Sequence, residues 1–315
     1  MSAEYGERGV ELLARARRAF GGTQVREPIR RKAIAFFGRA PEVAALAGVD
    51  ADLAQAAVDK LDRGTMPTKE ELDALVASIR FVRGALRVQD DRILAPRDAQ
   101  LSVATRAAIE RWLPGVAAIR GVRGGCRVAI GTGFLVASRA MITAGHVVDH
   151  MAQATDVAAH FDFEHARPER RPKVRIRSVL ALHPDEDVAL LELEGDGPLA
   201  GVPIAPAPGA APGQPIVVVG HPAKDGRCPP FLLPVFDDIY EVKRASPGEV
   251  MEAGLTRVYH DASTLGGNSG SPVFDGAGQV IAVHVSGEFA DRNEAVSSAV
   301  LRSEPRIAAR IDRWG

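Results

Sequence analysis

Gly267-Asn268-Ser269-Gly270-Ser271-Pro272-Val273-Phe274 is the most distinctive stretch of this 315-residue chain. It sets a serine between glycines, directly ahead of an apolar strand pattern. Such a serine can occupy a sharp turn with its hydroxyl exposed, and the same turn can aim the amides of Gly267 and Ser269 at one point. Two N–H groups aimed in this way hold developing negative charge on an oxygen, worth about 2.7–4 kcal/mol per donor. A Gly/Ser turn without chemistry has the same composition, so the stretch alone leaves both readings open. A serine hydroxyl is a weak nucleophile at neutral pH and needs a base. Thr143-Ala144-Gly145-His146 offers one where a strand pattern ends. Asp187, opening Asp187-Val188-Ala189-Leu190-Leu191, offers a carboxylate to orient the imidazole; Asp185 and Glu186 compete, but only Asp187 adjoins the apolar run.

Working outward from these motifs, residues 116 onward consist of short Val-, Ile- and Phe-rich runs separated by Gly, Pro and Asp, an all-β signature. Strands are expected at 116–119, 127–136, 140–144, 174–181, 188–192, 216–219, 272–274, 280–285 and 297–301. A Pro/Gly/Ala stretch, 198–215, divides them into halves, which favours two antiparallel barrels with a site between them. Residues 1 to about 90 are helical instead. In 69–83, Leu72, Leu75, Val76, Ile79 and Val82 recur at helical spacing, and Thr68 with Glu71 forms a capping box. Further helices are expected at 5–20, 27–38 and 50–62, in a bundle of four to six. The expected organisation is therefore a helical domain over 1–90, a linker and connecting helix over 91–114, and a β domain over 115–315. Its barrels cover about 115–205 and 206–302, and a short helix follows at 304–313.

TAGHV (143–147), DVALL (187–191) and GNSGSPVF (267–274), in that order, resemble the three catalytic blocks of chymotrypsin-fold serine proteases, and Gly131-Thr132-Gly133-Phe134-Leu135-Val136 resembles the strand leading into their site. The resemblance covers about residues 115–302. It implies a multidomain chain in which a helical bundle precedes a double six-stranded antiparallel barrel. It also implies a triad of His146, Asp187 and Ser269 with an oxyanion hole at Gly267 and Ser269, working through an acyl-enzyme. Within that family the serine block Ser263-Thr264-Leu265-Gly266-Gly267-Asn268-Ser269 is most similar to that of bacterial glutamyl endopeptidases. Thr264 and His284 fall where that subgroup binds an acidic P1 side chain, since a hydroxyl and an imidazole can hydrogen-bond a carboxylate. Ser263 stands where trypsin-like enzymes carry an aspartate, which argues against Arg/Lys specificity. Val285, Ser286 and Gly287 are expected to pair with substrate backbone as an added strand. Asn268, uncharged, departs from the aspartate that trypsin-type zymogens use to bind a freed N-terminus.

Composition bounds the remaining possibilities. Lys plus Arg total 39 against 40 Asp plus Glu, a net charge of −1, so no whole-chain field draws nucleic acid. No apolar stretch approaches the ~20 residues of a membrane span, and the polar start has no secretory core. Neither membrane nor nucleic acid is an expected partner, and the cytoplasm is the expected location. Cys126 and Cys228 allow at most one bridge, and two free thiols suit a reducing compartment. No HExxH, paired CxxC or phosphate loop occurs, so neither metal nor cofactor is expected. Nine basic residues against four acidic ones in 1–40 leave +5 there, including Arg15, Arg17, Arg18, Arg30, Arg31 and Lys32. A surface of that kind suits a partner or self-association through residues 1–90, although helix faces in water carry such charges too. Helical adaptor domains precede trypsin-like domains in bacterial defence proteins, and this arrangement looks similar. The expected function is an endopeptidase acting on a specific protein substrate. The competing reading is a catalytically inactive scaffold with the same fold.

Overall fold

The computed structural model describes residues 2–20, 50–95, 101–166, 173–205, 210–226, 228, 233, 235–288 and 292–311. They fall into a helical unit built on Met1–Gly84 and a larger β unit that begins at Ala85.

In the helical unit, α1 (Ser2–Phe20), α2 (Ala51–Asp62) and α3 (Lys69–Val82) bury one apolar stripe each: Leu13, Ala16 and Phe20 from α1, Ala54 and Val58 from α2, Leu75 and Ile79 from α3. The capping box at α3 is present: the Thr68 hydroxyl accepts from the Glu71 amide at 3.3 Å and the Glu71 carboxylate accepts from the Thr68 amide at 2.7 Å. Lys60 of α2 reaches the same carboxylate at 2.7 Å, which ties the two helices. The helix expected over 27–38 and the cluster Arg30, Arg31, Lys32 lie outside the described residues.

The β unit starts earlier than the sequence suggested. Leu86–Gln89 (β1) and Arg92–Leu94 (β2), expected as helix end and linker, form a hairpin instead, because Asp90 and Asp91 both take left-handed backbone angles, φ 55° and 56°. Aspartate tolerates that conformation better than most residues, and a two-residue turn of this kind matches strand twist. After α4 (Val103–Glu110), six strands close into the first barrel: β3 (Val116–Arg123), β4 (Cys126–Ala137), β5 (Ala140–Thr143), β6 (Thr155–His160), β7 (Val174–Leu182) and β8 (Ala189–Leu193), in the order β3-β4-β5-β8-β7-β6. A helix, α5 (Gly145–Ala152), leaves the end of β5.

The second barrel comprises β9 (Pro215–Gly220), β10 (Arg244–Ala253), β11 (Arg257–His260), β12 (Pro272–Phe274), β13 (Val280–Gly287) and β14 (Asn293–Ser297). Pairing of β10 with both β9 and β11 closes the ring, and β1 adds to the free end of β10. Residues 297–301, expected as a strand, instead leave β14 as a helix, α6 (Ser298–Ser303), because the Ser297 hydroxyl caps it by accepting from the Ala299 amide. A one-turn helix α7 (Pro305–Ala308) follows, shorter than the expected 304–313.

The junction between the barrels holds a fully buried ion pair. Lys243, just before β10, donates to the carbonyls of Leu113 (2.8 Å) and Phe161 (2.7 Å) and lies 3.3 Å from Glu164, whose other oxygen accepts from the Asp91 amide. One ammonium therefore gathers the connecting segment, the β6–β7 loop and the second barrel. Removing one partner strands the other charge in a dry interior, so Lys243→Met should cost about 3–5 kcal/mol, with partial recovery when Glu164→Gln is added. Urea denaturation measures both; a single variant as stable as wild type would show that the pair does not hold the junction.

Candidate active site

His146 is the second residue of α5, and Asp187 sits on the turn before β8. The Asp187 carboxylate spans two jobs at once. One oxygen accepts the His146 backbone amide at 2.7 Å and so caps the helix, while the other meets the ring Nδ1 at 2.7 Å. A cap formed by a residue forty-one positions away fixes both the start of α5 and the orientation of the imidazole. Burial pushes the Asp187 carboxyl upward, but the hydrogen bonds from the His146 ring and from the His146 and Gly145 amides outweigh it, and the group stays below its ordinary value. Asp187 is therefore ionised at neutral pH, with its charge facing the ring.

Ser269 comes from the second barrel, on the turn between β11 and β12. Its carbonyl accepts from the Thr132 amide of β4 at 2.8 Å, so the serine turn docks on the first barrel. Gly270, at φ +89°, is packed so tightly that a Cβ there would lie 2.1 Å from the Thr132 carbonyl, 2.3 Å from the Thr143 hydroxyl and 2.9 Å from the Ala144 amide. Ala144 is two residues before His146. Only glycine permits both this backbone angle and this approach. Gly267 is constrained in the same way: φ is +89°, and a Cβ would meet the His221 carbonyl at 2.5 Å. The amides of Gly267 and Ser269 make no backbone hydrogen bond among the described residues, whereas those of Asn268, Gly270 and Ser271 are all engaged. The Ser269 hydroxyl donates to the Val285 carbonyl at 3.3 Å. Among the described residues it makes no hydrogen bond to the His146 ring.

Around this turn lie the residues expected to bind substrate. His284 is buried, and burial, with the positive potential of His260 and His146, holds its pKa well below 6.5, so the ring is neutral. Its Nδ1 lies 3.3 Å from His260 Nε2. The Thr264 hydroxyl donates to the Asn293 side-chain oxygen at 2.8 Å, and the Asn293 amide donates to the Ala262 carbonyl at 2.6 Å. Ser263 is buried, and its hydroxyl has no hydrogen-bond partner among the described residues. Val285, Ser286 and Gly287 end β13; Ser286 and Gly287 pair with β14 on one side while Val285 falls at a break in that register, and among the described residues no strand pairs with the three on the other. No cluster of three or more His, Cys, Asp or Glu suited to a metal occurs among the described residues.

Several participants carry no sequence signal of their own. Thr132 is one: it reads as a β-strand residue, yet its amide holds Ser269 and its hydroxyl donates to the Gly267 carbonyl at 2.8 Å. Asn293 and His260 are others, since β14 and β11 were not expected as strands. The alternation of Val258, Ala262, Ala295 and their neighbours is too short to stand out.

Residues 131–283 match the family described as the trypsin-like peptidase domain. This stretch is a trypsin-like peptidase domain. Over 51 residues, 16% of this chain, the sequence is 47% identical to a glutamyl endopeptidase of Staphylococcus epidermidis, and the match spans 18% of that relative's length. Among solved structures, the peptidase domain is similar to the Rv3671c protease of M. tuberculosis in its active form (TM-score 0.48, 21% identity, 65% of this chain and 84% of that one). It is also similar to a Glu endopeptidase in complex with MPD (0.48, 17%, 68% and 91%) and to the serine endoprotease of Yersinia pestis (0.49, 16%, 67% and 68%).

The buried neutral histidines of the domain make its stability depend on pH. His284 and His221 both have folded pKa values well below 6.5, His221 through burial followed by the charges of Lys243, Arg120 and His160. Each binds a proton more readily when unfolded, so stability is full above pH 6.5 and falls as pH drops below it. Thermal melts should therefore show the midpoint declining from about pH 6.5 downward, and His284→Asn should flatten the decline; an unchanged slope in that variant would contradict the assignment.

Proposed function

We propose that this chain is a serine endopeptidase in which Ser269 is the nucleophile, His146 the general base and Asp187 the residue that orients it. The observation that carries the reading is the two-point grip of Asp187 on His146, set beside a docked serine turn whose Gly267 and Ser269 amides are unengaged. In this reading the substrate adds a strand along Val285 to Gly287, and its arrival displaces the Ser269 hydroxyl from the Val285 carbonyl. Ser269 then rotates toward His146 and attacks the scissile carbonyl. The ring takes the proton, Asp187 stabilises the imidazolium, and the tetrahedral oxygen points at the two amides. His146 returns the proton to the leaving amine, and water hydrolyses the acyl-enzyme by the same route.

For the P1 side chain we infer a preference for acidic residues. It is supported by the local likeness to the glutamyl endopeptidase of S. epidermidis and by the donors available: the unengaged Ser263 hydroxyl and the His284 ring. Thr264 gives its single proton to Asn293 and so offers the pocket only lone pairs. His284, neutral in the empty pocket, would gain a proton as a substrate carboxylate approaches, because a nearby anion favours the imidazolium. We further propose that the helical unit recruits or activates the peptidase toward a particular protein within the cytoplasm, in the manner of a bacterial defence effector. Its separate apolar core supports a module of its own.

The bond from Ser269 to Val285 favours one rival, a peptidase fold used only for binding. A serine-directed fluorophosphonate separates the two. Wild type should be labelled and Ser269→Ala should not, with peptide hydrolysis lost in parallel; an unlabelled wild type would establish the scaffold reading. Peptides identical except for Glu, Ala, Leu or Lys at P1 test the pocket, and equal rates for Glu and Leu would exclude the acidic preference.

A further inference from the structure

The residue before Asp187 is held from across the cleft. Glu186, on the β7–β8 turn of the first barrel, forms an ion pair with the Arg257 guanidinium of β11 in the second barrel, and the same guanidinium binds Glu294 of β14. Glu294 stands opposite Ser286 in the β13–β14 register, and the Ser286 hydroxyl lies 3.5 Å from its carboxylate. The chain Glu186–Arg257–Glu294 thus runs from the turn that carries Asp187 to the strand expected to receive substrate.

The turn itself has little slack. The Val188 amide donates to the Glu186 carbonyl at 2.7 Å, the His183 amide donates to the Val188 carbonyl at 3.0 Å, and the His183 ring accepts the amides of Asp185 (3.2 Å) and Glu186 (3.0 Å). A pull on Glu186 therefore displaces Asp187 rather than being absorbed between them. Glu186 is largely shielded, with 14% of its side chain exposed, so this pair is worth more than a surface contact. Arginine suits the task because its fork can bind two carboxylates at once, which a lysine ammonium does less well.

We propose that Arg257 is a positioning residue: by gripping Glu186 it fixes Asp187, and through Asp187 the His146 ring, relative to the substrate strand of the other barrel. The proposal rests on the catalytic reading above, in which a misplacement of about 1 Å can cost up to a hundredfold in rate.

The test uses the full chain in three variants, Arg257→Gln, Glu186→Gln and the double, with two readouts. The first is kcat and KM on a peptide anilide. Each single variant should lower kcat about tenfold with KM little changed, and the double should be no worse than either single, because both remove one link. The second readout needs no activity. In a Ser269→Ala background, the low-field proton NMR signal of the His146 Nδ1–H bonded to Asp187 should broaden or disappear in Glu186→Gln while circular dichroism is unchanged. If Arg257→Gln does not fold, Glu186→Gln carries the test alone, since it keeps the pair between Arg257 and Glu294. Full kcat and an undisturbed proton in Glu186→Gln would overturn the proposal, as would losses in Arg257→Gln that Glu186→Gln does not share. If the wild type hydrolyses nothing yet the proton still broadens in Glu186→Gln, the clamp stands and the catalytic reading falls.

Discussion

A single main-chain hydrogen bond, from the Thr132 amide to the Ser269 carbonyl, marks the constraint on which the site depends. The two barrels are separate closed rings whose buried side chains merge into one apolar cluster. What brings their functional residues together is the docking of the serine turn onto β4 and the end of β5. Gly270 makes that approach possible, and its positive φ leaves no room for another residue. The turn so held leaves the Gly267 and Ser269 amides without a hydrogen bond among the described residues, although the Gly267 carbonyl beside them is tied back by the Thr132 hydroxyl. One threonine therefore anchors both the Ser269 turn and the peptide that precedes it.

Electrostatics complements that geometry. The charge near the His146 imidazole is negative and close, with both Asp187 oxygens committed to His146. On the proposed reading, the surroundings of the substrate side chain are neutral instead: His284 is uncharged, Ser263 is buried, and Thr264 is bound to Asn293. On the proposed reading, cationic character is generated only when needed, on His146 during proton transfer and on His284 when an anionic side chain enters. Between these regions runs Glu186–Arg257–Glu294, a line of charge that joins the barrels at the cleft as Lys243 and Glu164 join them at the buried junction. The two devices differ in kind. The buried pair is isolated from water and ties together segments of the junction, whereas the partly exposed chain sits beside the residues proposed to react.

Most of the architecture could be read from the sequence because the informative residues are local. The capping box of Thr68 and Glu71, the glycines flanking Ser269, and the apolar run after Asp187 each state their conformation within a few positions. The likeness of the histidine, aspartate and serine blocks to trypsin-like peptidases supplied the pairing of the two barrels. What was not legible depends on partners distant in the chain. The hairpin at 86–94 looks like a linker because its strands are short and its turn is two aspartates, and only pairing with β10 makes it a strand. Residues 297–301 are apolar enough for a strand, but the Ser297 hydroxyl turns them into a helix. Asn293, Thr132 and Arg257 act through groups thirty to over a hundred positions away, and nothing in their immediate sequence distinguishes them from ordinary strand residues.

On the proposed reading, the Ser269 hydroxyl, the His146 ring and the Gly267 and Ser269 amides converge on one substrate carbonyl. A crystal structure of the chain with a peptide aldehyde would show whether they do. The expected result is a covalent hemiacetal on Ser269, its oxygen within hydrogen-bond reach of both amides, and the peptide paired with Val285 to Gly287. An unreacted Ser269 still bonded to the Val285 carbonyl, with the peptide bound elsewhere, would contradict it.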